Sequence, residues 1–178
     1  MNSEPSQDEI NNFCTAAQHG DIAAIRSALD EYGAGIIDKK NNIGDNALTW
    51  AAWNGHLEVA ALLLEKGARI DDKENNGKTP LMCAAQRGHE SVVALLLEKG
   101  AALAEVDNNK RTALLLAKDF NHDAIAGLLE QWPEKRRLAE QKKQAADKHA
   151  KDSVNARFKK LKDQRPSKPP LKKNPPKP

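Results

Sequence analysis

Large rings are scarce in this sequence. Aromatic residues make up 4% of 178 positions, so a core built on rings is excluded and one of Ala and Leu is expected. Cysteine is also scarce. Cys14 and Cys83 lie far apart, with no CxxC pair and no metal-ligand spacing. That excludes a short-range disulfide framework, and two reduced, buried thiols in a cytosolic protein are expected. No apolar run approaches the roughly 20 residues that span a bilayer. The opening MNSEPSQDEINN is polar and acidic, so no signal peptide is expected. A cytoplasmic protein is the first expectation, and delivery into a host cell as a bacterial effector is the alternative. No alternating run rich in Val, Ile and Tyr marks a sheet, whereas Ala and Leu favour helix. GxSxG, the P-loop, HExxH and a Ser/His/Asp set are all missing. Neither an enzyme, a cofactor nor a metal is expected.

Charge is present but unevenly spread. Residues 1–133 hold 12 Lys and Arg against 20 Asp and Glu, whereas residues 134–178 hold 16 against 5. An acidic body with a basic tail is expected.

The chain repeats itself. Gly44 recurs as Gly77, Ala51-Ala52 as Ala84-Ala85, Gly55-His56 as Gly88-His89 and Gly67-Ala68 as Gly100-Ala101, always 33 residues on. The run from Leu62 to Ala68 is repeated unchanged at 95–101. Downstream, Thr112, Leu114, Ala117 and His122 hold the same phase. Upstream, Phe13, Ala16, Ala17 and Gly20 fall 35 before their counterparts, so two extra residues lie between Asp30 and Asp38. A period in this range marks stacked supersecondary units.

Within a unit, Thr79 can cap a helix and Pro80 suits its first position. Leu81, Ala84 and Ala85 form an apolar seam, and the small alanines let the next unit approach. Gly88 breaks the helix. Val92, Val93, Leu95, Leu96 and Leu97 form a second helix, ended by Gly100. Asn41-Asn42, Asn75-Asn76 and Asn108-Asn109 fall in the turns between units, where Asn tolerates a left-handed backbone and bonds its own chain.

The segment GKTPLMCAAQRGHESVVALLLEKGA (Gly77–Ala101) resembles an ankyrin repeat. The likeness covers residues 8–133, about four repeats, the first and last degenerate. It implies an all-α solenoid of helix-turn-helix repeats with projecting hairpin turns. The histidine usual after TPL is replaced by Thr49, Met82 and Leu115, so the Thr–His bonding of that motif should be weak or absent. Asn46-Ala47 replaces Thr-Pro, Lys110 replaces the turn glycine, and Lys118 replaces an alanine. The last change suits a capping repeat with a wet outer side.

The resemblance implies a non-enzymatic adaptor that binds a protein partner on the concave face, as a monomer. By repeat phase the finger contacts are Ile43, Asp45, Asn76, Lys78, Asn109 and Arg111. The helix contacts beside them are Gln18 and His19, Trp53 and Asn54, Gln86 and Arg87, Asp119 and Phe120. Trp53 stands out, because stacking does not require a tryptophan there and tryptophan is enriched at binding hot spots. Packing against a neighbouring repeat or the tail is its alternative. Trp50 is expected to be structural, and Trp132 to close the last helix before Pro133 and cover the end of the stack. His56, His89 and His122 are expected at helix starts, and Asp30-Glu31 and Asp71-Asp72 in turns as solvated charge.

Residues 1–7 are expected to be disordered. Residues 134–163 lack Gly and Pro and predict a basic helix, with Ala146, Ala150, Val154, Phe158 and Leu161 as a thin apolar stripe. Residues 164–178 are rich in Pro and Lys and predict a disordered tail. Lys172, Pro175 and Pro178 fit an SH3-type spacing, Pro166–Pro169 is a bare PxxP, and an acidic partner is the other candidate. Tail binding to nucleic acid or an anionic membrane, with the repeats as scaffold, is the alternative function.

Overall fold

Helix α1 (Gln7–His19) starts at a capping box. The Ser6 side chain accepts from the Glu9 amide, and the Glu9 carboxylate accepts from the Ser6 amide at 2.6 Å. Glu4 pairs with Lys39 at 3.3 Å. Ser6 and Gln7 thus belong to the start of α1, within the stretch expected to be disordered. The computed structural model describes residues 4–163, and beyond residue 144 only the side chains of 146, 148 and 151.

The later repeats follow one local plan. Asn46, Thr79 and Thr112 cap α3 (Ala47–Asn54), α5 (Pro80–Arg87) and α7 (Ala113–Asp119), each accepting from the amide three residues on. Each helix is followed by a tight turn into a second helix. The second helices are α2 (Ile22–Tyr32), α4 (Leu57–Glu65), α6 (Glu90–Glu98) and α8 (Asp123–Asp163). Among the described residues there is no strand. The two residues that shift the first repeat are absorbed by a 3-10 turn at Gly33–Gly35 and the buried Ile36 and Ile37 behind it.

The first helices α1, α3, α5 and α7 pack side by side. Their seam is alanine: Ala17, Ala51, Ala52, Ala84, Ala85 and Ala117 have no exposure. Alanine sets the spacing, and the bulk of the apolar area comes from larger residues. Ile25, Leu48, Leu63, Leu81, Leu96, Leu116 and Ile125 are all fully buried. Each such side chain contributes about 1.5–3 kcal/mol by leaving water. Cys14 and Cys83 are free and buried, and burial pushes both thiols up to about 12.

The recurring Gly-His pairs form a ladder. Nε2 of His56, His89 and His122 sits 2.9, 2.9 and 3.1 Å from the carbonyls of Gln18, Trp53 and Gln86 in the preceding repeat. Each ring covers the preceding glycine, so that a Cβ on Gly55 would lie 2.5 Å from His89 Nδ1. These histidines hold repeats together as well as starting helices.

Some expectations change. Asp30 and Glu31 lie in the last turn of α2 rather than in a turn. Asp71 and Asp72 are half-buried rather than merely solvated: Asp71 accepts from the Ala102 amide at 3.0 Å, and Asp72 from Asn46 Nδ2 at 3.0 Å. A side-chain bond also survives where the Thr–His pair is lost. The Thr49 hydroxyl donates to Asn46 Oδ1 at 2.9 Å, so an Asn–Thr pair takes its place in the second repeat. Trp132 is half-buried on the core but closes no helix. α8 runs through Pro133, which has no amide to donate to Leu129, and the chain divides into two compact units at that proline.

The second unit opens on exposed helix, with Arg136–Glu140 and Arg137–Glu134 pairs at 3.0 and 2.9 Å. Ala146 is exposed. The rest of the apolar stripe, Ala150, Val154, Phe158 and Leu161, has side chains outside those described. The proline motifs of residues 164–178 lie outside the described residues altogether.

Candidate functional site

Each finger is a hairpin turn closed by a backbone bond: Asn41 to Asp45, Glu74 to Lys78 and Asp107 to Arg111, at 2.9, 3.1 and 3.0 Å. The first residue of each turn organises it. The Asn41 side chain accepts from the Ile43 and Asp45 amides, Glu74 from those of Asn76 and Lys78, and Asp107 from those of Asn109 and Arg111. So the organising phase is Asn41, Glu74 and Asp107. In the next phase, Asn75 and Asn108 tie fingers together: Asn75 Nδ2 donates to the Ile43 carbonyl at 2.7 Å, and Asn108 Nδ2 to the Asn75 carbonyl at 3.1 Å, whereas the Asn42 amide donates to Asn11 Oδ1 at 3.3 Å. The left-handed residues are Gly44, Gly77 and Lys110 rather than the asparagines.

Of the fourteen expected contacts, one group comes together between the second and third repeats. The Trp53 ring is half-buried at the end of α3. The Lys78 ammonium lies 5.4 Å from its centroid and the Arg87 guanidinium 5.0 Å. Such contacts are worth about 0.5–1 kcal/mol each at exposed sites. Lys78 also donates to Gln86 Oε1 at 2.8 Å, which draws Gln86 into the cluster. Trp53 thus packs on the neighbouring repeat through two cations.

Beside the cluster lies a pocket of about 220 Å³. Asp45, Thr49, Trp50, Trp53, Glu74, Asn76, Lys78 and Cys83 line it. It has room for one side chain rather than a drug-sized ligand. Burial first, and then the nearby Glu74 carboxylate, hold the Asp45 carboxyl above its usual range, against a smaller opposing pull from Lys40. Trp50 Nε1 is buried and has no hydrogen-bond partner among the described residues.

The other expected contacts stand apart. Ile43 sits 58% exposed on its finger. Asn54 is turned to its own helix, its Nδ2 donating to the Trp50 carbonyl at 3.0 Å. Asn109 is exposed at the last finger, and Arg111 is clamped to Asp107 at 2.9 Å. Burial alone would raise the Asp107 carboxyl, but the Arg111 and Asn109 amides and the Arg111 guanidinium outweigh it and hold it low. Asp119 and Phe120 lie at the open end of α7, Phe120 46% exposed. Gln18 touches His56 through its backbone carbonyl only, which accepts from His56 Nε2 at 2.9 Å, and the Thr15 carbonyl accepts from His19 Nδ1 one turn on at 2.9 Å.

Sequence reasoning missed Thr49, Trp50, Glu74 and Cys83 as pocket residues. Trp50 carried a signal. Its counterparts one and two repeats on, Cys83 and Leu116, are almost fully buried. An indole is too large for that slot, so Trp50 stays half-buried and reaches the pocket wall.

The family described as ankyrin repeats (3 copies) matches residues 2–74 and 70–137. The chain belongs to the ankyrin-repeat family. Among curated relatives, the NAD-capped RNA hydrolase NUDT12 of Macaca fascicularis is 36% identical over 63 residues, 35% of this chain and 13% of that protein. The short transient receptor potential channel 3 of Homo sapiens is 40% identical over 58 residues, 33% of this chain and 6% of that protein. The matches span a small part of these relatives' length, so the activities in their names do not come with the likeness. Among the described residues, no helix is long and apolar enough to cross a membrane.

Proposed function

We propose that this chain is a non-enzymatic binding module, cytoplasmic in location, that takes a protein partner on the face made by its fingers and first helices. Ankyrin repeats are in general protein–protein interaction modules. The observation that supports this face is Trp53 beside Lys78 and Arg87, next to a pocket lined by Asp45, Glu74 and Asn76. Trp and Arg are the residue types most enriched at binding hot spots. The fingers contribute Ile43, Asp45, Asn76, Lys78, Asn109 and Arg111, and the helix ends Trp53, Asn54, Gln86, Arg87, Asp119 and Phe120. Partner capture by crosslinking and mass spectrometry tests it, with wild type beside Trp53→Ala/Arg87→Ala. The double variant should lose the partners that wild type enriches. Equal recovery would refute this face.

The charge of residues 134–178 favours a second reading, tail-driven binding to nucleic acid or anionic lipid. Changing the Lys and Arg residues of 135–162 to Gln separates the two. Under the first reading capture persists, and under the second it is lost and falls steeply with salt in the wild type.

A further inference from the structure

The positive charge on the Trp53 ring is not balanced within the protein. Arg87 is exposed at the end of α5. Its guanidinium lies 5.0 Å from the ring centroid and the Lys78 ammonium 5.4 Å, so the two charges are at most about 10 Å apart, within one Debye length. Elsewhere in the same body Lys40, Lys73 and Arg111 each pair with a carboxylate, whereas neither Lys78 nor Arg87 has an ion pair among the described residues. Arg26, Lys66, Lys99 and Lys110 also lack one there, but no aromatic ring holds them. Glu74 accepts from the Lys78 backbone amide at 3.1 Å, not from the ammonium. The ammonium spends one of its three donors on Gln86 Oε1 at 2.8 Å. No oxygen among the described residues takes a donor from the Arg87 guanidinium.

An unpaired surface cation is ordinarily mobile and screened, and by itself points to nothing. The ring changes that. Contact with Trp53 holds the guanidinium in place, so its fork of donors is positioned before anything binds, and less freedom is lost on binding. The end of a helix favours a cation at Arg87, but this accounts for neither the ring nor Lys78.

An anion answers this arrangement. Another cation is repelled, and an apolar or amide group leaves both charges uncompensated. Among anions, a phosphate brings a second negative charge towards Asp45 and Glu74, which line the adjoining pocket. A carboxylate brings one, and its two oxygens match the guanidinium fork. We propose that Arg87, held on Trp53 beside Lys78, is the docking point for a glutamate or aspartate side chain of the protein partner, the carboxylate accepting from the guanidinium while the Lys78 ammonium adds its charge nearby. The proposal rests on the reading that this face binds a protein.

The full ¹⁵N-labelled chain at low salt tests it. The readouts are the Trp53 indole N–H and the Arg87 Nε–H, assigned with Trp53→Phe and Arg87→Gln, so that binding to the basic residues of 134–178 does not enter. The probes are the N-acetyl methylamides of Glu, Gln and phosphoserine. The Glu probe should shift both signals saturably. The Gln probe, alike in shape but uncharged, should bind about tenfold more weakly or worse. Arg87→Gln, checked for native dispersion, should abolish the response of the Trp53 signal, and Arg87→Lys, which keeps the charge but not the fork, should restore part of it. Signals that ignore the Glu probe overturn the proposal. So do equal responses to Glu and Gln, which would mean that charge is not read, and a Trp53 response that survives Arg87→Gln. Binding of the phosphoserine probe about tenfold tighter than Glu also overturns it, and would mean a phosphate site. If partner capture still depends on Trp53 and Arg87 in any such case, the carboxylate assignment alone falls. If the Glu probe binds as expected while capture ignores both residues, the carboxylate site stands and the wider face falls.

Discussion

Lys110 holds a left-handed backbone, with φ at 64°, where earlier repeats place Gly44 at 84° and Gly77 at 77°. Replacing it with glycine should stabilise the stack, and the size can be worked out. A side chain in this region costs about 1–2 kcal/mol relative to the right-handed helix region. Glycine adds unfolded-state freedom, which takes back about 0.4–1 kcal/mol. The net gain for Lys110→Gly is about 0.5–1 kcal/mol, or roughly 2–4 °C in Tm for a body of this size. No ion pair of Lys110 is lost among the described residues. Asn121, at φ 59°, stands where an earlier repeat has Gly88. Asparagine tolerates this region, so Asn121→Gly should gain less.

Tryptophan fluorescence in a urea titration reads the effect, because all three tryptophans lie at or before residue 132. The midpoint should rise with the slope unchanged. The reverse exchange, Gly77→Ala, should cost about 1–3 kcal/mol, because the new Cβ meets the Asn108 side chain, Oδ1 at 2.5 Å, as well as the wrong backbone region. A Lys110→Gly midpoint equal to or below wild type would refute the reasoning, and would mean that the Lys110 side chain contributes a contact that outweighs its backbone cost.

Three other predictions concern single side chains. His89→Ala should cost about 1–2 kcal/mol, because it removes the 2.9 Å bond to the Trp53 carbonyl. In that background Gly55→Ala should cost less than in wild type, since the ring that its Cβ would strike is gone, and a double-mutant cycle by urea melts measures the difference. Asp107 is held low, so its stabilisation is present above its unfolded value of 3.8 and is lost as pH falls through the lower folded value. Asp107→Asn should therefore be least stable relative to wild type near neutrality and approach it in acid, read as midpoints from pH 7 to pH ~3. Asp45 has the opposite sign: its folded value is raised, so its favourable contribution is present below 3.8 and is lost as pH rises through the higher folded value. Asp45→Asn should match or exceed wild type at pH 7, by about 0–1 kcal/mol, and lose the advantage in acid. A matching pH trend in both variants would discard one of the two assignments.

Much of this architecture was legible because it is periodic. Gly, His, Ala and Leu recurring at 33 residues specify where helices start, stop and pack, and the same period located the two-residue slip that the 3-10 turn absorbs. Period says nothing about which neighbour a side chain bonds. The Gly-His pairs read as punctuation, yet the histidine of one repeat bonds a carbonyl of the repeat before it. The asparagines read as left-handed turn residues, yet they link fingers, and glycine or Lys110 takes the backbone strain. A local motif is visible in one copy. A bond between copies is visible only when two are stacked.

The terminal repeat shows this logic in reverse. Glycine at positions 44, 55, 77 and 88 serves two needs: a left-handed backbone, and room for an Asn or His from the repeat that follows. Positions 110 and 121 keep the first need and have no further repeat to satisfy, and there glycine is replaced by Lys and Asn. Lys118 stands exposed and pairs with Glu130 at 2.7 Å, where Ala85 is sealed by a neighbour. The same comparison separates the two tryptophans of α3. Trp50 occupies a slot that Cys83 and Leu116 fill completely, so its excess size goes to the pocket wall, and its buried N–H has no partner among the described residues. Trp53 occupies a position filled by the half-buried Gln86 and the exposed Asp119 in later repeats, and the next repeat places two cations on its ring. Departures from the repeat, more than the repeat itself, are where a partner can tell this stack from another.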